Sequence, residues 1–220
     1  MVFLTGATGY MGRRLAVELV RRGHTVTALA RKGSENRSPA VCRTVIGDAL
    51  NAASYRESVP ADCTFVHLVG VAHPSPAKAA EFQAVDRVSI RAAVWAARFA
   101  HVRHFIYVSV AHPAPVMQAY IAVRTEGEEL IRSAGLSATI LRPWYVLGPG
   151  HWWPILLQPA YWVMERMPGA RESARRLGLV TLRQMIEALA DAVDHPVDGV
   201  RVLEVPEIRR APRKVAEPLP

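Results

Sequence analysis

The sequence predicts an α/β fold, a doubly wound parallel sheet with a small C-terminal lobe. Short strand-like runs alternate with helical patterns along most of the chain, which implies βαβ crossovers and a parallel sheet. The run at 63–69 is largely apolar without alternation, as expected for a strand that is buried on both faces. Because such crossovers are right-handed, the carboxyl ends of the strands should form one edge where a ligand binds.

The predicted strands are short apolar or β-branched runs, and they lie at 2–5, 25–30, 44–46, 63–69, 104–108, 138–141 and 201–205. The predicted helices lie between them, at 10–22, 49–58, 77–100, 118–134 and 180–193. Residues 10–22 repeat apolar side chains at helical spacing, whereas 49–58 do so only weakly. Gly23 and Gly135 follow two of the helices, in the place where a helix C-terminus favours glycine, and Pro143 ends the sixth strand.

The alternation breaks at 148–150, which read Gly-Pro-Gly, and 151–167 are rich in Trp, Tyr, Pro and Met. We therefore predict a single domain over 1–206, with the C-terminal lobe within 148–200. Residues 207–220 are Pro-rich and basic, and we predict a flexible tail there.

Composition is that of a globular domain. The 220 residues suffice for one sizeable core, with 50% hydrophobic and 21% charged residues. No apolar run is long enough to cross a bilayer, and nothing at the N-terminus resembles a signal peptide. Cys42 and Cys63 are too few for a disulfide framework or a metal site. We expect a cytoplasmic protein without a metal, either a monomer or a homodimer.

The net charge of +8 would suit an anionic partner. The basic residues are scattered, however, without a continuous basic stripe on any predicted helix and without interleaved aromatic residues. We therefore do not expect nucleic-acid binding, and we attribute the charge to an arginine-rich composition together with a few phosphate contacts.

A Gly-x-x-Gly-x-x-Gly loop joins the first strand to the first helix. In such a loop one glycine permits the tight turn, one lets the backbone approach a pyrophosphate, and one allows close packing of helix and strand. The helix N-terminus adds free N–H groups and a positive dipole end. We therefore expect a dinucleotide here, although an ordinary tight turn is the alternative. The residues expected to bind it are Gly6, Thr8, Gly9, Tyr10, Met11 and Gly12.

The end of the second strand bears on the choice of cofactor. Sites that prefer NAD usually carry a carboxylate there, but this chain has Arg31 and Lys32. Two cations suit a 2′-phosphate, because Arg can hold it with paired hydrogen bonds. The sequence therefore predicts NADP(H), with NAD(H) possible and a solvated basic turn as the alternative. Asp48, after the third strand, could bind the adenine amino group or could cap a helix.

The chain resembles the atypical short-chain dehydrogenase/reductases, especially their NAD(P)H-binding, NmrA-like and epimerase-like branches, over about its first 150 residues. The matching segments are TGATGYMG at 5–12, RGHTV at 22–26, GD at 47–48, FIYVS at 105–109, TILRP at 139–143 and GPG at 148–150. The resemblance implies a Rossmann-type fold and a nicotinamide cofactor. We also expect cofactor contacts at the ends of the fourth and sixth predicted strands and on the fourth predicted helix, from Leu68, Val69, Gly70, Pro143 and Arg124.

In reductases of that superfamily a Tyr-x-x-x-Lys pair performs the chemistry, and a Ser or Thr orients the substrate carbonyl. The corresponding pair here is Tyr120 and Arg124, whose spacing of four places both on one helix face. Tyr120 is the candidate acid/base, and Arg124 departs from the family's lysine. Ser109 lies one residue before the usual catalytic position, which is occupied by Val110, and His112 could orient a carbonyl or relay a proton.

Two alternatives bear on this catalytic set. Tyr120 could simply pack against the sheet, and His112 could be a loop residue without a role. Glu128, four residues beyond Arg124, could pair with it and withdraw it from Tyr120.

Residues 151–164 form an aromatic and apolar segment. It could form the wall of a substrate pocket, contact a membrane surface or a protein partner, or belong to an ordinary core. The predicted function is hydride transfer between NADP(H) and a small apolar carbonyl, enone or quinone-like compound. The alternative is a non-catalytic NADP(H)-binding protein that senses redox state or supports a complex. A sugar-nucleotide epimerase fits less well, because such enzymes are usually longer and use the full Ser-Tyr-Lys set.

Overall fold

A computed structural model describes residues 1–114, 116–149 and 177–212. The strands within these ranges are β1 (Val2–Thr5), β2 (Val26–Ala30), β3 (Arg43–Ile46), β4 (Thr64–His67), β5 (His104–Val108), β6 (Ala138–Leu141), β7 (Tyr145–Leu147), β8 (Leu179–Thr181) and β9 (Val200–Leu203). Seven of them form one sheet in the order β3-β2-β1-β4-β5-β6-β9, and every neighbouring pair in it is parallel. β7 and β8 pair separately, also in parallel.

The longer helices of the described residues are α1 (Tyr10–Arg21), α2 (Val88–Phe99), α3 (Gln118–Ser133), α4 (Leu182–Asp194) and α5 (Val205–Arg209). A 3₁₀ turn (Pro76–Lys78), one α-helical turn (Ala79–Glu81) and a π-helical turn (Phe82–Arg87) lead directly into α2. Further 3₁₀ turns lie at Glu35–Arg37, Ala52–Ser54 and Arg56–Ser58.

Both faces of the large sheet are buried. Phe3 and Phe65 pack on the face that α2 and α3 cover, with their ring centroids 5.2 Å apart. The next residue along each strand, Leu4 and Val66, packs on the opposite face beneath α1 and α4. Burial on both faces explains why these strands are apolar without alternation, and it confirms the predicted doubly wound α/β architecture.

Several segments differ from the sequence-based expectation, and two of them, β7 and β8, are strands that were not predicted. Residues 49–58 form two 3₁₀ turns instead of a helix, because the side chains of Asp48 and Asn51 bind backbone N–H groups two residues on and favour tight turns. The helix predicted at 77–100 contains a π-helical turn. The last strand ends at Leu203, and 205–209 form α5, whose Ile208 is buried beside α4, so the tail predicted from 207 begins in a packed helix.

Of the segment predicted to form the lobe, residues 177–200 supply β8 and α4, and α4 packs against α1. A capping box at Thr181 and Gln184 fixes the start of α4. Residues 150–176, which include the aromatic segment 151–164, and residues 213–220 lie outside the described residues. No helix in the described part of the chain is long and apolar enough to span a membrane.

Candidate cofactor and active site

The glycine loop passes from β1 into α1 at the carboxyl edge of the sheet. The Gly6 carbonyl accepts a hydrogen bond from the Gly9 N–H at 3.0 Å, and Gly6 has a φ of +76°, which favours glycine. A Cβ on Gly6 would lie 2.8 Å from the Leu68 carbonyl carbon, and a Cβ on Gly12 would overlap the Gly6 carbonyl oxygen. The loop is therefore packed too closely for larger residues at 6 and 12, and the first turn of α1 points at the same edge.

The remaining predicted residues of the loop lie around this turn. Thr8, Tyr10 and Met11 are partly exposed and Gly9 is exposed, so backbone and side chains are accessible to a ligand. Tyr10 stacks with Arg14, 4.7 Å from ring centroid to guanidinium carbon, and a Cβ on Gly148 would overlap the Tyr10 hydroxyl.

The residues predicted to determine the preference for NADP(H) over NAD(H) follow β2. Arg31 and Lys32 are both exposed, and the Gly47 N–H donates to the Ala30 carbonyl at 2.9 Å, which brings the ends of β2 and β3 together. Asp48 is exposed at the end of β3, and its Oδ1 accepts the Leu50 N–H at 3.0 Å. Asp48 thus stabilises its own turn, while Asn51 is the residue that caps the 3₁₀ turn.

The predicted residues at the ends of β4 and β6 lie at the same edge as the glycine loop. Leu68 and Val69 are partly exposed, Gly70 is exposed and Pro143 is buried. The Leu68 N–H donates to the Thr5 carbonyl, which holds the two loops side by side. Because the strand order reverses between β1 and β4, these loops flank the crevice where doubly wound sheets bind their ligands.

Arg124 is buried at this edge, and two of its three guanidinium nitrogens make hydrogen bonds within the protein. Its Nη1 donates to the Val108 carbonyl at 2.9 Å and its Nη2 donates to Asp86 Oδ1 at 2.5 Å. Burial by itself would lower the pKa of Arg124. The phenols of Tyr120 and Tyr107 and the Asp86 carboxylate outweigh that effect, so the pKa of Arg124 lies above its usual value and the side chain stays charged.

Tyr120 lies between two side chains. Its ring centroid is 5.1 Å from the Arg124 guanidinium carbon and 5.0 Å from the ring of the buried Phe82. Tyr120 itself is partly exposed. The structure therefore brings Tyr120 and Arg124 together as predicted, with a fixed cation against the aromatic ring.

The predicted pairing of Glu128 with Arg124 is wrong. Arg142 binds Glu128 through Nε and Nη2, at 2.8 and 2.5 Å, and Arg132 binds it at 3.1 Å. Burial works against ionisation of Glu128, but the Arg142 guanidinium outweighs it and holds the pKa below its usual value. Glu128 consequently leaves Arg124 free to act on Tyr120.

Ser109 and His112 both lie beside Glu128. Ser109 is 1% exposed, which leaves its hydroxyl little access to a substrate, and Val110 is also buried. His112 is partly exposed, and its Nε2 is 3.6 Å from Glu128 Oε1. The structure therefore groups Ser109 and His112 with the Glu128–Arg142 ion pair, one helical turn beyond Arg124 on α3.

Sequence reasoning missed two buried polar residues beneath the site. Asp86 lies in the π-helical turn and binds Arg124. His67 lies at the end of β4, where Nδ1 is 2.9 Å from the Thr5 hydroxyl and Nε2 is 3.3 Å from the Ser89 hydroxyl. Burial, followed by the charge of Arg124, lowers the pKa of His67 to about 3. The sequence around Asp86 also contains Glu81, Gln83 and Arg87, so no pattern in it singles out Asp86.

Comparison with known proteins identifies the family of this chain. A family model described as NAD(P)H-binding matches residues 6–149. A ceramide reductase of Caulobacter vibrioides is 31% identical over 153 residues, which is 68% of this chain and 47% of that protein. A 4-hydroxy-2-methyl-3-oxo-4-farnesyl-3,4-dihydroquinoline-1-oxide ketoreductase of Stigmatella aurantiaca is 27% identical over 169 residues, 66% of this chain and 50% of that protein. The chain thus spans about half the length of these relatives.

A solved structure supports the fold. A short-chain dehydrogenase/reductase superfamily protein from Agrobacterium tumefaciens with bound NAD superposes with a TM-score of 0.66 at 20% identity, over 93% of this chain and 77% of that one. The glycine loop, the sheet order and the family match lead to one conclusion. This chain belongs to the family described as NAD(P)H-binding, and it shares the fold of the Agrobacterium tumefaciens protein.

Proposed function

We propose that this protein is an NADP(H)-dependent oxidoreductase that acts on the carbonyl group of an apolar substrate. The observation that carries the proposal is the charged guanidinium of Arg124 against the ring of Tyr120, at the carboxyl edge of the sheet. When bound, the nicotinamide supplies or accepts the hydride at the carbonyl carbon. In the reducing direction Tyr120 donates its phenolic proton to the carbonyl oxygen, and Arg124 stabilises the negative charge left on the ring.

The preference for NADP(H) is supported by the residues after β2. Arg31 and Lys32 are exposed, and neither Ala30 nor its two successors offers a carboxylate for a ribose 2′-hydroxyl. A 2′-phosphate there would receive charge-assisted hydrogen bonds from Arg31. Arg31→Ala should weaken NADPH binding about tenfold or more and leave NADH binding unchanged, measured by quenching of intrinsic tryptophan fluorescence. Equal losses for both cofactors would show that Arg31 does not read the phosphate.

The substrate class is supported by the relatives. One is named for reducing ceramide and another for reducing a farnesylated quinoline compound. A long apolar chain is common to both named substrates, the second name is that of a ketoreductase, and we propose a carbonyl compound with such a chain here. A ketone with a long alkyl or isoprenoid chain is therefore the first compound to test, beside short aldehydes, enones and quinones.

Tyr120→Phe tests the catalytic assignment. It should lower the rate of NADPH oxidation by about 100-fold or more while the affinity for NADPH stays the same, because only the transferred proton is lost. Tyr55→Phe is the matched control, since it removes a phenolic hydroxyl from a buried ring that stacks on Phe3 of β1. Undiminished turnover in Tyr120→Phe would contradict the mechanism.

A second candidate is a non-catalytic NADP(H)-binding protein. Two observations favour it: the buried Val110 stands where the family's Ser or Thr would orient a carbonyl, and Arg124 uses Nη1 and Nη2 within the protein. Neither side chain is then available to a substrate or a ribose. Wild-type protein that binds NADPH tightly and oxidises it with none of the four substrate types would favour this candidate over the enzyme.

A further inference from the structure

We propose that Asp86 is a positioning residue of the active site, which grips Arg124 and thereby fixes the cation against Tyr120. The inference rests on the proposed function for its effect on rate, and on geometry alone for its effect on the position of Tyr120.

Asp86 uses both carboxylate oxygens, on two different parts of the fold. Oδ1 accepts from Arg124 Nη2 at 2.5 Å, and Oδ2 accepts the Val71 N–H at 3.0 Å. The side chain has no exposed surface. Burial raises the pKa of Asp86, and both hydrogen bonds oppose that rise. Asp86 therefore links Arg124 to the loop that follows β4.

Arg124 is held at a second point by the Val108 carbonyl at the end of β5. A planar guanidinium bound through two nitrogens to two fixed acceptors cannot rotate, so its distance from the Tyr120 ring is set by those acceptors. Without Asp86 one of the two points is lost, and a buried charge is left without its counter-ion.

The π-helical turn presents two of its side chains to α3. Phe82 contacts the ring of Tyr120, and Asp86, four residues later, contacts Arg124, which is four residues after Tyr120. Two side chains of the π-helical turn thus contact two side chains of α3. The Ser89 hydroxyl donates to the Asp86 carbonyl at 3.1 Å, which satisfies a backbone acceptor within this wider turn.

The backbone of Gly70 packs against the Asp86–Arg124 ion pair. A Cβ on Gly70 would overlap Arg124 Nη2 and would lie 3.0 Å from Asp86 Oδ1. The backbone at Gly70 therefore lies directly on the pair and keeps water from it, which strengthens the attraction between the two charges.

Asp86→Asn is the decisive change, because it replaces one carboxylate oxygen by an NH2 group, which donates hydrogen bonds. Either the contact to Arg124 or the contact to the Val71 N–H is then lost, while the side-chain volume is nearly unchanged. Asp194→Asn is the matched control. Asp194 is the last residue of α4, and its Oδ2 also accepts a hydrogen bond from an arginine, Arg22 Nη1, at 2.9 Å. Arg22 directly follows α1, at the amino edge of the sheet.

Kinetics with NADPH and the best ketone form the first measurement. Asp86→Asn should lower kcat about 100-fold and leave KM for NADPH within about twofold, since a displacement of about 1 Å has effects of that size. Arg124→Gln should lower kcat similarly, and adding Asp86→Asn to it should produce no further loss. Asp194→Asn should leave both parameters unchanged.

The position of Tyr120 is measured separately, without turnover, by fluorine NMR of protein labelled with 3-fluorotyrosine. Six tyrosines give six signals, and the one absent in Tyr120→Phe belongs to Tyr120. That signal should move in Asp86→Asn and in Arg124→Gln and stay in place in Asp194→Asn.

The outcomes separate the two proposals. A Tyr120 signal that stays in place in Asp86→Asn overturns the positioning role, whatever the activity. A signal that moves in a protein without turnover supports the positioning role and contradicts the proposed enzyme. If turnover depends on Tyr120 but kcat is unaffected by Asp86→Asn, the enzyme stands and the positioning role is wrong.

Discussion

Gly12→Ala should damage cofactor binding through backbone sterics alone. The added methyl group would overlap the Gly6 carbonyl oxygen and would lie 2.9 Å from the Ala7 Cα. Both neighbours are backbone atoms, so the first turn of α1 has to move away from the loop. Overpacking of this kind destabilises a protein by about 1–3 kcal/mol. The displaced helix N-terminus also loses hydrogen bonds to the phosphates, which corresponds to about a 10- to 100-fold weaker affinity for NADPH.

Gly23→Ala is the control for this change. Gly23 has a φ of +88°, and a Cβ there would meet nothing within 4 Å. Its substitution introduces backbone strain of about 1–2 kcal/mol without any steric clash, and α1 keeps its place. Urea unfolding followed by tryptophan fluorescence, together with NADPH titration, distinguishes the two variants. Equal loss of NADPH affinity in both, or wild-type affinity in Gly12→Ala, would refute the steric reasoning.

Two further predictions concern stability. The side chain of Arg22 is 2% exposed and binds three carboxylates of α1 and α4, so Arg22→Ala should reduce the free energy of unfolding by about 3 kcal/mol. The side chain of Arg21 is 38% exposed, so Arg21→Ala should leave that free energy nearly unchanged. Similar losses for the two variants in urea unfolding would contradict this prediction. Burial lowers the pKa of His67 to about 3 and that of His104 to about 4. Below the ordinary histidine pKa of about 6.5 the unfolded chain therefore binds more protons than the folded chain. Stability should fall as the pH is lowered from about 6.5, by about 2 kcal/mol per buried histidine at pH 5. His67→Gln or His104→Gln should flatten that pH dependence in urea unfolding, and an unchanged slope would contradict the prediction.

The local features of this fold could be predicted from the sequence. The glycine loop indicates where β1 ends and where α1 begins. The apolar composition of the strands indicates that both faces of the sheet are buried. Tyr120 and Arg124 were identified through the resemblance to the family's Tyr-x-x-x-Lys pair, and their spacing of four on one helix then places both side chains on one face.

Contacts between distant parts of the chain could not be predicted. Spacing alone allows Glu128 to reach Arg124 or Arg132, and the choice depended on Arg142, which only the packing of β6 against α3 brings near. Asp86 and Arg124 are 38 residues apart, and the π-helical turn that contains Asp86 leaves no periodic pattern in the sequence. The turns at 49–58 were missed because side-chain capping competes with a weak helical pattern.

The pairwise contact between the π-helical turn and α3 also constrains how the sequence can change over generations. An arginine at 124 without a carboxylate at 86 buries a cation alone, and a carboxylate at 86 opposite a smaller residue buries an anion alone. Either first step should give a less stable protein, so we expect the two positions to change together. We expect relatives that keep Arg124 to keep Asp86, and relatives with the superfamily's lysine to be free of that requirement.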